Sequence, residues 1–249
     1  DEFFNNIGVN VYEGYGMTES APVIAARTPQ KLVIGSVGPL LPEVEVEIRD
    51  FDNNPLPRGQ KGVIWTKGPH VMKGYYKMPE QTAKTVVDDW LNTGDMGIIS
   101  FNDTLSIVGR AKETIVLMGG ENVEPVPIEN KLLQSEYIGQ VMVVGQDKKY
   151  LGALIYPDME KLAQYMGVED VNSLKIENLE KDKVIQDLYI NELKGLVSAD
   201  TGFKAFEKVT NFRFLPKAME VDDELTNLGK MKRHVISDKY SDLIESMYQ

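Results

Sequence analysis

Four short strings hold most of the side chains in this sequence that can do chemistry. In LTNLGKMKRH, Leu225 to His234, Gly229 is followed by Lys230, Lys232, Arg233 and His234. A lysine on a flexible glycine turn is a mobile positive charge, suited to stabilising negative charge that develops on a carboxylate or phosphate; equally, such a run is an exposed basic face. In EGYGMTES, Glu13 to Ser20, Gly14 and Gly16 leave room beside Tyr15 for a flat ring to approach and stack, Thr18 offers a hydroxyl, and Glu19 offers a carboxylate for a phosphate-bound Mg2+. A tight turn with a solvated glutamate explains the same string. In WLNTGDMG, Trp90 to Gly97, Asp95 can accept two hydrogen bonds from a ribose diol, while TGD is also an ordinary Asx-type turn ahead of a strand. In VGRAKETIVLMGGENVEP, Arg110 and Lys112 precede the pair Gly119-Gly120. A border position with alternate backbone states makes a hinge, and cations at a strand end are commonly just solvated.

The elements that must position these groups fall into two regions. From Val33 to Val108 the pattern is β: VGPLLPEVEVEI alternates, DFDNNPLPRGQKG is rich in turn residues, and GVIWTKG and TLSIVG are short apolar runs. This predicts a small barrel or curled sheet, interrupted by one helix that Pro79 opens. After Arg110 strands and helices mix. ETIVLMGGENV predicts a hairpin turning at Gly119-Gly120, and Pro127 is placed to open a helix over IENKLLQ. QVMVVGQD, LGALIYPD and VTNFRFLP read as strands, and Ile185, Leu188, Tyr189, Leu193, Leu196 and Val197 share one face of an amphipathic helix. The polar stretch from Glu160 to Glu180 reads as helical. The expectation is an α+β chain, with a β-rich region over residues 1–109 and a mixed α+β module over residues 110–249.

Composition narrows the chemistry. The 249 residues are 42% hydrophobic and 26% charged, with a formal net charge of −11. That balance suits a globular chain and argues against non-specific nucleic-acid binding, which needs a cationic surface. With no cysteine and two histidines, a metal would be a hard cation on oxygen ligands, and Mg2+ is the natural choice. No run of about eighteen apolar residues suggests a membrane span, and the acidic start DEFFNNIGVN lacks the order of a secretory signal, so the expected location is cytoplasmic.

Taken in order, the strings resemble the AMP-forming acyl-adenylate ligase superfamily of acyl-CoA synthetases, peptide-synthetase adenylation domains and beetle luciferases. YGMTE matches its tyrosine-glycine-any-threonine-glutamate motif, GPHVMKGYY (Gly68 to Tyr76) its GPxVMxGYY stretch, and Thr93-Gly94-Asp95 its threonine-glycine-aspartate. GRAKE and GGENVEP match its hinge and glycine-glutamate-asparagine loop, and LTNLGKMKR its terminal lysine motif. The phrasing of GENVEPVPIENKLLQSEYIGQVMVVGQDKKYLGALIYPD and FKAFEKVTNFRFLP, with the helical insertion after Pro157, points to long-chain fatty-acid-CoA ligases.

The resemblance implies that Gly14, Tyr15 and Gly16 contact adenine, Thr18 the α-phosphate and Glu19 Mg2+. Asp95 would bind the ribose hydroxyls with help from Arg110, and Lys112 would be the pivot of a mobile C-terminal lid. In one lid pose Lys230 would serve adenylation; in the other the Gly119-Gly120 loop would line the pantetheine channel. ATP/AMP, coenzyme A and a fatty acid are the implied substrates, with peripheral membrane contact compatible. The family's upstream phosphate loop and acyl pocket have no counterpart, so a C-terminal piece of a longer ligase, inactive alone in adenylation, is expected. Where long-chain ligases read LTPTxKxKR, this chain has Asn227 in place of the proline and Gly229 beside the lysine, and Lys232 and Arg233 are left as solvated or as meeting CoA phosphates. His70, where asparagine is common, reads as a surface loop residue. Rival readings are an adenylate-forming enzyme for another carboxylic acid or a carrier-protein thiol, and a non-catalytic nucleotide-binding module.

Overall fold

Alternating β-branched residues in the first half, and helical periodicity between strands in the second, fold as separate units. A computed structural model describes residues 2–249, in two compact units, Asp1–Lys112 and Glu113–Gln249. The first unit begins with a short helix α1 (Glu2–Asn6) and a two-stranded ribbon, β1 (Gly14–Gly16) with β2 (Val23–Ala26). Its five-stranded antiparallel sheet comprises β3 (Glu45–Arg49), β4 (Gly62–Lys67), β5 (Val86–Val87), β6 (Trp90–Ile99) and β7 (Leu105–Arg110), with helix α2 (Pro79–Thr85) between β4 and β5. Pro79 stands in the first helical turn, where the missing N–H has no partner to lose. β4 runs along one edge of β6, while β5 and β7 take the two ends of the other edge. Among the described residues the sheet stays open and does not close into a barrel. Ala25, Ile48, Ile64 and Leu105 bury together, with Tyr15 packed against them.

The second unit has a hairpin of β8 (Ile115–Val116) and β9 (Asn122–Val123), then helix α3 (Pro125–Leu132). The helix starts at Pro125, not at Pro127 as the sequence suggested. Both prolines fit, because the first N–H groups of a helix have no intrahelical acceptor. β10 (Ile138–Val144) pairs antiparallel with β11 (Leu151–Pro157). Helices α4 (Met159–Met166), α5 (Ile176–Leu179) and α6 (Lys183–Leu196) follow, and β12 (Val209–Phe214) returns to pair with β11 in parallel. Asp182 caps α6 by accepting from the Val184 and Ile185 N–H groups. The predicted face of α6 is buried at Ile185, Tyr189 and Leu193, against Phe212 and Phe214 of β12. The chain ends in α7 (Arg233–Lys239) and α8 (Ser241–Glu245). Ile236 and Tyr240 there pack with Met142, Leu154 and Leu215, forming a second core on the other side of this sheet. No described helix is long and apolar enough to cross a membrane.

Candidate nucleotide site and the elements that carry it

Asp95 owes its position to an irregularity in β6. Val63 of β4 pairs with Met96, but Trp65 pairs with Asn92, so the residues between bulge out of the ladder. Bulges re-aim side chains, and this one uses the positive φ of Gly94, +72°. The bulge is held locally. Asn92 Oδ1 accepts the Gly94 N–H at 2.9 Å, Thr93 Oγ1 accepts the Asp95 N–H at 3.1 Å, and the Thr93 hydroxyl donates to the Ile64 carbonyl at 2.8 Å. The Asx-type turn read at TGD is present in these side-chain hydrogen bonds, but it lies within β6 and not ahead of a strand.

Two predicted residues converge on Asp95. The Tyr15 hydroxyl donates to Oδ2 at 2.8 Å, and Arg110 Nε lies 3.4 Å from Oδ1. Arg110 faces Asp95 directly in the β6–β7 register. Burial, reinforced by the Asp95 charge, pushes the Tyr15 hydroxyl far above its ordinary pKa, so it stays protonated and remains a donor. A carboxylate has about four lone-pair sites. With one spent on Tyr15 and Arg110 on the other oxygen, Asp95 keeps capacity for a diol.

The flanking glycines act differently from each other. A Cβ on Gly16 would lie 1.7 Å from the Pro22 carbonyl oxygen, whereas one on Gly14 would meet nothing nearer than 3.6 Å. Gly16 is thus required by the chain's own packing, with or without a ligand. Thr18 is exposed, and Glu19 is half-buried on the one-turn helix Thr18–Ser20. Ser20, fully buried, closes that turn by accepting the Met17 N–H at 3.0 Å and donating to the Met17 carbonyl at 2.9 Å. The Glu19 carboxylate accepts from the Tyr75 hydroxyl at 2.9 Å, a partner to which the sequence reading gave no role although GPHVMKGYY was singled out. Among the described residues no group of three or more histidine, cysteine or carboxylate side chains could hold a metal unaided. Glu19 fits Mg2+ only as one protein ligand to a cation also held by phosphates and water, the usual arrangement for that ion.

His70 is not a surface residue. It is half-buried, and since the Thr66 hydroxyl donates to the Glu45 carbonyl at 3.0 Å, Nε2–H donates to Thr66 Oγ1 at 2.9 Å. Burial lowers its pKa, which favours the neutral ring.

Lys112 is exposed, in the turn Ala111–Glu113 at the end of the first unit, and lines a cleft of about 420 Å3 with Lys84, Gln81 and Gly94. In the second unit, Gly120 takes the left-handed φ of +87° that turns the β8–β9 hairpin, and its N–H donates to the Leu117 carbonyl at 2.8 Å. The Gly119 backbone approaches the Glu121 carboxylate so closely that a Cβ would lie 2.4 Å from it. Lys230 sits on a small loop pinned by the Leu225–Met231 bridge. Its N–H donates to Thr226 Oγ1 at 3.1 Å and Gly229 takes φ +72°, while its side chain is exposed with no ion pair among the described residues.

The neighbouring cations have partners. Lys232 Nζ donates to the Asp223 carbonyl at 3.1 Å. Arg233 bonds the buried Glu129 carboxylate and reaches Glu113 Oε2 at 3.3 Å, so the reading of Arg233 as merely solvated is overturned. Glu224, fully buried below the loop, accepts from Lys239 at 2.7 Å, Tyr240 at 3.0 Å and the Glu220 N–H at 3.1 Å. Burial works to raise the pKa of Glu224, but the Lys239, Glu220 and Tyr240 hydrogen bonds outweigh it and hold the group at about 2.

Comparison with known proteins defines the class to which this arrangement belongs. The structure of ATP-bound MatB from Rhodopseudomonas palustris superposes with a TM-score of 0.68 at 27% identity, over 94% of this chain and 41% of that one. The fold is that of the C-terminal part of adenylate-forming enzymes. The AMP-binding enzyme family matches residues 1–76 and its C-terminal domain family matches residues 112–249, so the chain belongs to the AMP-binding enzymes, within the superfamily of AMP-forming ligases. Similar curated relatives are a probable acyl-activating enzyme 16, chloroplastic, of Arabidopsis thaliana (38% identity) and the chloroplastic long-chain-fatty-acid–[acyl-carrier-protein] ligase AEE15 of the same plant (37%). A third is the long-chain-fatty-acid–CoA ligase FadD15 of Mycobacterium bovis (33%). These alignments cover 100%, 100% and 99% of this chain but only 36%, 34% and 39% of the relatives' own lengths.

Proposed function

We propose that this chain is the C-terminal portion of an ATP-dependent long-chain fatty-acid-CoA ligase, with residues 1–109 completing the large domain and residues 110–249 forming a lid. The observation that carries the reading is the Tyr15–Asp95–Arg110 cluster on a bulged strand, an oriented and partly satisfied carboxylate suited to a ribose diol. In the first half-reaction a fatty-acid carboxylate oxygen attacks the α-phosphorus of ATP, the bond to the β-phosphate breaks, and pyrophosphate leaves. In the second, a thiol adds to the acyl carbonyl and AMP departs with the anhydride oxygen. Two anions meet in the first step, so catalysis is mainly positioning and charge neutralisation. Asp95 and Arg110 hold the ribose end, Tyr15 and the adjoining backbone of Gly14 and Gly16 the adenine, and Thr18 the α-phosphate. Lys230 brings its ammonium to the charge developing on the phosphate. Bound Mg2+, with Glu19 as its protein ligand, would neutralise the phosphates. Lys112 is the pivot, and swinging the lid would remove Lys230 and bring Gly119-Gly120 to the thiol channel.

The test is a Lys230→Ala variant of the full-length protein. Adenylation, measured as fatty-acid-dependent pyrophosphate release, should fall by about 10²–10³-fold, the scale for losing one charge-stabilising group. Thioester formation from supplied acyl-adenylate should survive. Unchanged adenylation would remove Lys230 from the mechanism. The 249-residue chain alone is expected to release no pyrophosphate. A second reading, transfer to a carrier-protein thiol, is favoured by the relative named as an acyl-carrier-protein ligase. Comparing CoA with carrier protein as acceptor separates the two. A cytoplasmic location belongs to the same proposal, although two relatives are chloroplastic by name.

A further inference from the structure

Glu19 is held at two points by the segment that ends in Tyr75. Its backbone carbonyl accepts the Met72 N–H at 2.8 Å, and its Oε1 accepts the Tyr75 hydroxyl at 2.9 Å. Tyr75 is itself fixed from α2. Its N–H donates to Thr82 Oγ1 at 2.9 Å, and the Thr82 hydroxyl donates to the Met78 carbonyl at 2.9 Å. Gly74, at φ +142°, lets the chain pass so close to Thr82 that a Cβ there would lie 2.8 Å from Thr82 Cγ2. The adjacent Tyr76 is 85% exposed and makes no such contact.

A free glutamate side chain carries rotamer freedom that must be lost when its carboxylate meets a cation, at about 0.5–1.5 kcal/mol for an interfacial side chain of this kind. Here the hydroxyl has already taken that freedom. It occupies Oε1, and among the described residues no hydrogen bond occupies Oε2. A lone carboxylate that must serve as the sole protein ligand gains from such support, as ligand groups generally do from their outer hydrogen bonds.

We propose that Tyr75 is a positioning residue, which aims the Glu19 carboxylate at the divalent cation accompanying the nucleotide. The proposal rests on the reading of Glu19 as that cation's ligand. It assigns a job to a hydroxyl, not to a ring, so Tyr75→Phe is the minimal change.

The experiment measures binding of a non-hydrolysable ATP analogue to the full-length protein with and without Mn2+, the metal-loaded form being followed also by Mn2+ EPR. Tyr75→Phe should weaken the metal-loaded complex by about threefold to tenfold and leave metal-free analogue binding unchanged. The Mg2+ concentration for half-maximal pyrophosphate release should rise by the same factor, with kcat at saturating Mg2+ within about twofold of wild type. Tyr76→Phe should match wild type, and Glu19→Gln should lose the metal-dependent part of the affinity. If Tyr75→Phe behaves like Tyr76→Phe while Glu19→Gln loses metal dependence, the positioning role is wrong and the reading of Glu19 stands. A fall in kcat that excess Mg2+ does not restore, with metal affinity intact, marks Tyr75 as merely structural and overturns the proposal. If Glu19→Gln keeps its metal dependence, the underlying reading fails and the proposal with it.

Discussion

Removing Arg233 should destabilise the second unit in a way that depends on pH. Glu129 is 3% exposed; one of its oxygens accepts the Val143 N–H at 2.7 Å and the other bonds Arg233. Taking away one partner of a buried ion pair leaves a charge without compensation and costs about 3–5 kcal/mol. Burial already lifts the Glu129 pKa above its ordinary value, with Arg233 opposing. In Arg233→Ala that opposition is gone, and the pKa rises further. A carboxyl whose folded pKa exceeds its unfolded one contributes stability fully below the unfolded value and loses it as pH rises through the folded value. The variant extends this window upward, so its deficit should be largest near pH 8 and smaller near pH 5, at about 1.4 kcal/mol per unit of added shift. Urea unfolding followed by far-UV circular dichroism at both pH values reads it. Both tryptophans, Trp65 and Trp90, lie in the first unit, so their fluorescence reads that unit separately from the dichroism. Arg233→Met combined with Glu129→Leu should recover only part of the loss, because it also leaves the buried Val143 N–H without its acceptor. A deficit under about 1 kcal/mol, or one that is equal at both pH values, would refute the reasoning.

Two further expectations follow from close packing in the first unit and from a buried carboxylate in the second. Gly16→Ala should cost the first unit about 1–3 kcal/mol or more, since the new methyl would overlap the Pro22 carbonyl, while Gly14→Ala should cost under about 1 kcal/mol; tryptophan-detected melting compares them. Lys239→Met should move acid unfolding to higher pH. Glu224 is depressed from 4.5 to about 2 when folded, so its stabilising contribution is present above the unfolded value and lost as pH falls through that window, and without Lys239 the loss begins earlier.

What could be read in the sequence was whatever local pattern encodes. The face of α6 follows from spacing alone, and the hairpin at Gly119-Gly120 from glycine's tolerance of φ +87°. The bulge at Asp95 was not legible. TGD signals a departure from regular backbone, but whether that departure is a turn or a bulge depends on Val63 and Trp65, which pair with it from a distant strand. Tyr75 was missed for a related reason: its partner lies 56 residues away, and nothing in GYY says which tyrosine turns inward. The parallel return of β12 beside β11 is likewise set by packing between distant segments, not by local period.

The basic run that reads as one feature is three. Arg233 is committed to Glu129 and Glu113, and Lys232 to the Asp223 carbonyl, with its own N–H on the Glu224 carbonyl at 2.8 Å. Glu224 in turn gathers Lys239 at the end of the following helix, Tyr240 just after it, and the Glu220 N–H before it. The loop therefore has a base locked by buried ionic and hydrogen bonds, and its tip carries an exposed lysine beside a glycine at positive φ. On the proposed reading, in which Lys230 is delivered to a reacting phosphate and then withdrawn, this build fits, because the base fixes where the tip can reach and among the described residues the ammonium has no ion pair to break. By that logic Arg233→Lys, which keeps the charge but loses the two-way fork between Glu129 and Glu113, should blur the position of Lys230 and slow adenylation more than thioester formation. Equal slowing of both half-reactions would mean that the ion pairs serve the fold of the unit alone.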